Sequence, residues 1–291
     1  MFRPESESPV QYIPLRELWR GFNPLGVSRG TFVIYTGYMD ESLTVGQKLF
    51  TLSCLIASGK SWFEMERSWK LCLKAKNKQL KKEGRTLLRR YHASDCNGRH
   101  KDFEGWSVEE QIAFVKGLLA TFKRTRGVHA VGYVLNLDEL CEVFPETRER
   151  LEGAYYVLTK FVMQTIGDDF NEQGGGTPAR VTLFHDRTPN GKYDGTMLRA
   201  FNHQIEDANF PHAHYFTTLA PLSWEDCIAL QPADLVAFES GKYAERKIMR
   251  KSFEAMLDLP QFGIHTKMFT KDILQMMRDH MEEQKRLAGL S

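Results

Sequence analysis

Cysteine is scarce and unordered in this chain. Cys54, Cys72, Cys96, Cys141 and Cys227 are widely spaced, odd in number, and form no C-x-x-C. Such a set argues against a disulfide framework and a cysteine-built zinc site, and a reducing cytosol is the expected home. Long apolar runs are also missing. No stretch of about 18 apolar residues occurs, so no membrane-spanning helix is expected. Met1 to Val10 is polar and acidic, without the charged-then-apolar order of a secretory signal. Charge of one sign does not dominate: the net charge is +2, so any footprint for a polyanion must be local. No Walker loop, G-x-G-x-x-G or G-x-S-x-G is present. That removes the phosphate loop, the dinucleotide fingerprint and the nucleophile elbow from consideration.

What remains is an ordinary globular composition, 42% hydrophobic over 291 residues, enough for a sizeable core. Residues 1–29 hold Pro4, Pro9, Pro14 and Pro24 and read as an irregular arm. The β-branched and aromatic run Thr31 to Met39 and the run Leu49 to Ala57 flank a short polar stretch with Gly46, the pattern of a β-hairpin. Trp62 to Lys82 is predicted helical. Ser107 and Glu110 form an S-x-x-E capping box before a second helix. Further helices are predicted over Leu151 to Phe170, Met197 to Asn209 and Pro232 to about Lys247. Strands are predicted over Val128 to Leu137, Val181 to Phe184 and Tyr215 to Leu219. Gly174-Gly175-Gly176 reads as a loop. Residues 30–250 thus form the main domain, and residues 251–291 a charged, mostly helical tail. A hairpin followed by α–β alternation fits a mixed sheet flanked by helices, a layout shared by ribonuclease-H-like domains among others.

Three aspartates stand where such a sheet presents side chains to a ligand. Asp40 and Asp186 close predicted strands, and ligands of open α/β sheets bind beyond the carboxyl ends of strands. Asp234 falls in the first turn of a helix opened by Pro232, since proline suits the first helical position. Crowded carboxylates raise one another's pKa. A divalent cation removes that penalty, and Mg²⁺ is bound through one or two carboxylates plus phosphate oxygens. Taken singly, each aspartate is more often a turn former or a cap; the three together carry the functional reading. Glu41, next to Asp40 on a strand, is expected on the opposite face, in a supporting role.

Arg90-Tyr91-His92-Ala93-Ser94-Asp95 places His92 and Asp95 three apart. From the residues alone this reads as a surface cap. Ahead of it, Lys74 to Arg90 carries Lys74, Lys76, Lys78, Lys81, Lys82, Arg85, Arg89 and Arg90 against the single acid Glu83. That strip is either a solvated helix face or a contact for a polyanion; the shortage of acids within it argues against ordinary salt-bridge lacing. His212-Ala213-His214 and Asp168-Asp169 are weaker signals. Asp40 to Thr44 approaches the D-x-D-x-T loop of phosphoaspartate-forming phosphatases, but Ser42 stands where the second aspartate belongs.

Four short motifs in order make a resemblance. Tyr38-Met39-Asp40-Glu41-Ser42 resembles the D-E-S-G motif of the domain of unknown function 3800 family. Tyr91-His92-Ala93-Ser94-Asp95 resembles its aromatic-H-x-x-D segment, with Trp106 standing like the tryptophan that follows it. Phe184-His185-Asp186-Arg187 and Leu230-Gln231-Pro232-Ala233-Asp234-Leu235 resemble its last two motifs. Leu43 departs from the usual glycine, which alters the hairpin turn and leaves the acids in place. The resemblance implies a ribonuclease-H-like fold and an acidic centre for Mg²⁺ or Mn²⁺, with Asp40, Asp95, Asp186 and Asp234 as ligands and His92 completing the site or moving a proton. The expected activity is phosphodiester hydrolysis of DNA or RNA, with Lys78, Lys81, Lys82, Arg89, Arg90 and Gln231 contacting the substrate. The alternatives are a nucleic-acid-binding module without catalysis and a phosphatase acting on a small phosphate ester.

Overall fold

Val33–Leu43 is strand β1, and its central residues are buried on both sides, with Tyr38 and Met39 fully enclosed. A strand buried on both faces needs a helical layer above and below it. β1 pairs antiparallel with β2, Leu49–Ser58, in the register Asp40↔Ser53. The hairpin is closed by Thr44, whose N–H donates to Leu49 O at 3.0 Å and whose Oγ1 accepts the Leu49 N–H at 3.1 Å. Gly46 takes the positive φ of 83°, so this turn does not need a glycine at Leu43. The computed structural model describes residues 33–44, 46, 48–147, 149–172, 179–247, 250–258 and 262–287, the last segment without side chains at 262–265 and 285. The arm of residues 1–29 and the loop Gly174-Gly175-Gly176 lie outside the described residues.

The sheet has six strands in the order β5-β4-β1-β2-β3-β6. β3 is Val128–Asn136, β4 Ala179–Asp186, β5 Phe216–Leu222 and β6 Phe262–Phe269. β2 and β3 are antiparallel, β4 runs parallel to β1, β5 parallel to β4, and β6 parallel to β3. The chain is therefore an α/β protein with a mixed sheet flanked by helices.

One face carries α1 (Gly59–Lys82), α2 (Ala93–Gly98), α3 (Val108–Arg124), α7 (Leu230–Arg246) and α8 (Lys251–Leu257) over a core that includes Tyr38, Leu55, Trp69 and Phe122. The other carries α4 (Leu137–Val143), α5 (Arg150–Glu172), α6 (Asp194–Glu206) and α9 (Lys271–Leu287) over Met39, Leu52, Leu158 and Phe201. Among the described residues no helix is long and apolar enough to cross a membrane.

The tail after residue 250 departs from expectation. It is helical at α8 and α9, but Phe262–Phe269 between them joins the sheet as an edge strand. Polar Thr266 and Lys267 weaken its apolar signal; pairing with the buried β3 supplies what local preference does not.

α7 positions the site. Its first twelve residues, Leu230 to Gly241, are all buried. The helix sits close to the sheet because its contacts are small: Ser53 Oγ donates to Ala233 O at 3.0 Å, and a Cβ on Gly241 would come within 2.9 Å of Thr51 Oγ1. It begins at Leu230, two residues before the expected start. Pro232 is accommodated because the first N–H groups of a helix have no intrahelical acceptor. Asp234 is thereby the fifth residue, in the second turn.

Candidate active site

β1 and β4 lie side by side and parallel, and their pairing stops at Met39↔His185. Asp186 is the last residue of β4, whereas β1 continues past Asp40 to Leu43. Asp40 is thus inside a strand, at the point where its neighbour on one side ends, and not at the terminus the sequence suggested. Beyond this step lies a cavity of about 240 Å³ walled by Asp40, Glu41, Asp186 and Asp234 with Arg90, His92, Arg187, Trp224 and Gln231.

The carboxyls affect one another. Burial holds Asp40 well above the usual carboxylate range, and the charges of Asp234, Glu41 and Asp186 add to it against the N–H of Glu41, which binds Asp40 Oδ1 at 2.7 Å. Asp186 is pushed up to about 6 by burial, opposed by the Arg90 charge and the Arg187 N–H at 3.0 Å, with Asp234 raising it further. Asp234 is raised by burial against the counter-influence of His92, the Ala93 N–H at 2.7 Å and Arg90. Glu41 rises to about 7, mainly through burial, although a hydrogen bond with Tyr155 of α5 resists the change. Glu41 does point to the opposite face from Asp40, as alternation requires. It still lines the cavity, because no β4 residue beyond the end of that strand screens it.

The donor chemistry can be weighed against a metal. Oxygen-only ligands that repel one another suit a hard divalent cation. Yet among the described residues no three His, Cys, Asp or Glu side chains stand in a ready-made ligating group. Mg²⁺ needs only one or two carboxylates and keeps several waters, so the residues fit such an ion without a preformed cage.

Other predicted residues are distributed differently. His92 precedes α2, and its Nδ1 lies 2.8 Å from Asp95 Oδ2. Asp95 also pairs with Lys101 at 3.1 Å. Burial pushes the Asp95 carboxyl up, but bonds and charge from His92 and Lys101 outweigh it and hold the group below its usual range. Asp95 lines an adjoining cavity of about 270 Å³ and not the acidic one. It lies one cavity over from the other acids, and its charge still reaches them, adding to the rise of Asp234. Gln231 Oε1 accepts both the Trp69 Nε1–H and the Tyr91 N–H at 3.0 Å. It fixes the wall that carries Arg90 and His92.

Part of the basic strip is laced, mostly with acids from elsewhere in the chain. Buried Lys76 meets Glu110 at 2.6 Å and lies 4.4 Å over the Trp106 ring. Arg85 pairs with Glu110 at 2.8 Å and Glu83 at 3.0 Å, and Arg89 with Asp102 at 3.4 Å. The capping box is half made for the same reason: Ser107 Oγ takes the Glu110 N–H at 3.1 Å, while the Glu110 carboxylate turns to those cations. Lys78, Lys81 and Lys82 are exposed and line neither cavity. His212 is buried against Asp168 at 2.8 Å, away from the acids.

Arg187 and Trp224 were not singled out in the sequence. Arg187 was available from its adjacency to Asp186; Trp224 sits in the loop after β5, and no spacing ties it to the other motifs. No family model, curated protein or solved structure matches the chain.

Proposed function

We propose that the acidic cavity is a divalent-metal-dependent phosphodiesterase site, and that the domain is a nuclease of ribonuclease-H-like build. The observation that carries this reading is the gathering of Asp40, Asp186 and Asp234, from β1, β4 and α7, around one cavity with Arg90 and Arg187 on its rim. The strand order supports the fold assignment: an antiparallel β1-β2-β3 unit with β4 and β5 parallel to β1 on its other side agrees with the order expected of a ribonuclease-H-like sheet, with β6 as an addition. The four motifs that resemble the domain of unknown function 3800 family fall on the walls of this one cavity or on the segment beside it.

Asp40, Asp186 and Asp234 are the residues that would hold Mg²⁺ or Mn²⁺. Such an ion, when bound, supplies Lewis-acid polarisation of a phosphoryl oxygen and a lowered pKa for an attacking water. Arg90 and Arg187 present guanidinium groups, which suit the paired oxygens of a phosphate. His92 is held through Nδ1 by Asp95, which leaves Nε2 as the nitrogen able to exchange a proton. Tyr155 and the backbone N–H groups of Glu41 and Ala93 orient the carboxylates.

A second reading is favoured by one observation. The lack, among the described residues, of a ready-made three-ligand group suits a domain that binds nucleic acid without cutting it. Labelled single- and double-stranded DNA and RNA, and a small phosphate monoester, incubated with Mg²⁺, Mn²⁺ or chelator separate the cases. The nuclease reading expects metal-dependent cleavage of a polymer that is lost in Asp186→Asn. Binding without cleavage selects the non-catalytic module, and turnover of the monoester alone selects a phosphatase.

A further inference from the structure

The adjoining cavity of about 270 Å³ shares Arg90, His92 and Trp224 with the acidic one and is completed by Arg89, Asp95, Lys101, Asp102 and Phe103. Its charge is unequal. Asp95 serves His92 and Lys101, and Asp102 serves Arg89, both its N–H and its guanidinium. Among the described residues no carboxylate forms an ion pair with Arg90. Its guanidinium instead lies 3.8 Å over the Trp224 ring, and Trp224 is partly exposed. Cations therefore outnumber acids around a cavity that buried Phe103 also lines, and the Arg90–Trp224 pair stands where it meets the acidic one.

We infer that this second cavity seats the nucleotide next to the scissile phosphate, its phosphate held by Arg90 and Lys101 and its base stacked with Trp224, so that the domain selects single-stranded nucleic acid over duplex. Three features carry the argument. The two cavities adjoin at Arg90, His92 and Trp224, a spacing that suits neighbouring nucleotides of one strand. Aromatic and arginine planes stack bases of any sequence. A base inside a duplex has both faces covered and must be unstacked before it can reach such a platform. The inference rests on the phosphodiester reading of the acidic cavity for what the neighbouring acids do, but binding itself needs no cleavage.

The experiment is anisotropy titration of the full chain, in chelator, with labelled single-stranded and blunt duplex oligonucleotides of DNA and of RNA. Wild type is expected to bind single strands more tightly than duplex. Trp224→Leu should weaken single-strand binding roughly tenfold, the lower end of what one stacked base contributes. Trp224→Phe, which keeps a stacking ring, should retain most of the affinity and shows that the position tolerates change. Lys101→Ala should reduce the salt slope by ~0.7, one phosphate contact on a single strand. Single-strand affinity unchanged in Trp224→Leu, or wild type favouring duplex, overturns the inference. The two failures are distinguishable. Trp224-dependent binding with no cleavage of any polymer leaves the subsite standing and removes the hydrolysis. Metal-dependent cleavage with Trp224-independent binding does the reverse. No binding to any polymer removes the subsite outright.

Discussion

The Asp234 carboxylate, on α7, accepts the backbone N–H of Ala93 at 2.7 Å across 141 residues of chain. One oxygen of a candidate metal ligand thereby holds the start of α2, and with it His92. The acidic cavity and the cationic one beside it are parts of a single assembly, joined at this bond and at Gln231.

Gln231→Leu tests that joint. It leaves the Trp69 and Tyr91 N–H groups without their acceptor, and each buried donor left unpaired costs about 1–3 kcal/mol. Thermal unfolding of the metal-free protein should show a clear fall in Tm, with a larger loss of activity as the Arg90–His92 wall shifts. An unchanged Tm would mean that Gln231 does not brace the wall.

Stability should depend on pH in a direction opposite to that of a salt-bridged acid. Asp186 at about 6 and Glu41 at about 7, with Asp40 and Asp234 also raised, hold protons in the folded state that the unfolded chain releases near pH 4. The folded state binds more protons over that window, so stability falls as pH rises through it. For one carboxyl the change is of order 1–3 kcal/mol. Metal-free Tm should therefore drop between about pH 4 and pH 7, and Mg²⁺ should flatten the slope by favouring the ionised forms. A metal-free Tm that climbs across the same range would contradict the crowded-acid account.

Much of this arrangement could be read before the structure, for physical reasons that differ by residue. The hairpin, the α–β alternation and the place of Asp186 at a strand end are local: they follow from β-branched runs and from the polar residues that interrupt them. Asp40 lies inside its strand because pairing with β2 carries β1 on to Leu43. β6 was missed because an edge strand with Lys267 and Thr266 draws its stability from pairing with β3. The start of α7 was misplaced by two residues because proline is acceptable throughout the first turn. Motif order places Asp95 near the acids, and it says nothing of the Lys101 partner that the fold supplies. The pairing of Lys76, Arg85 and Arg89 is not legible in sequence because Glu110 and Asp102 are distant along the chain. Trp224 gave no signal, since a loop aromatic acquires meaning only when Arg90 lies over it.

The two sets of cations should separate in their effects. Arg90→Ala removes the guanidinium shared by both cavities and should reduce turnover of polymer strongly. Reversing exposed Lys78, Lys81 and Lys82 to Glu should leave turnover of a small phosphodiester unchanged. It should weaken polymer binding through a salt-dependent term. Affinities measured across a range of salt concentrations check this. A triple variant with wild-type affinity and salt slope would assign the strip to solvent.

The central claim is that the cavity walled by Asp40, Asp186 and Asp234 binds a divalent ion, with Asp40 among its ligands. Calorimetric titration of the wild-type protein with Mn²⁺, beside Asp40→Asn, tests it most directly. The account predicts binding by wild type, at least tenfold weaker binding by the variant (about 1.4 kcal/mol), and a metal-free Tm for Asp40→Asn equal to or above that of wild type, because one repelling charge is gone. Equal Mn²⁺ affinity in the two proteins, or no binding by wild type, would contradict it.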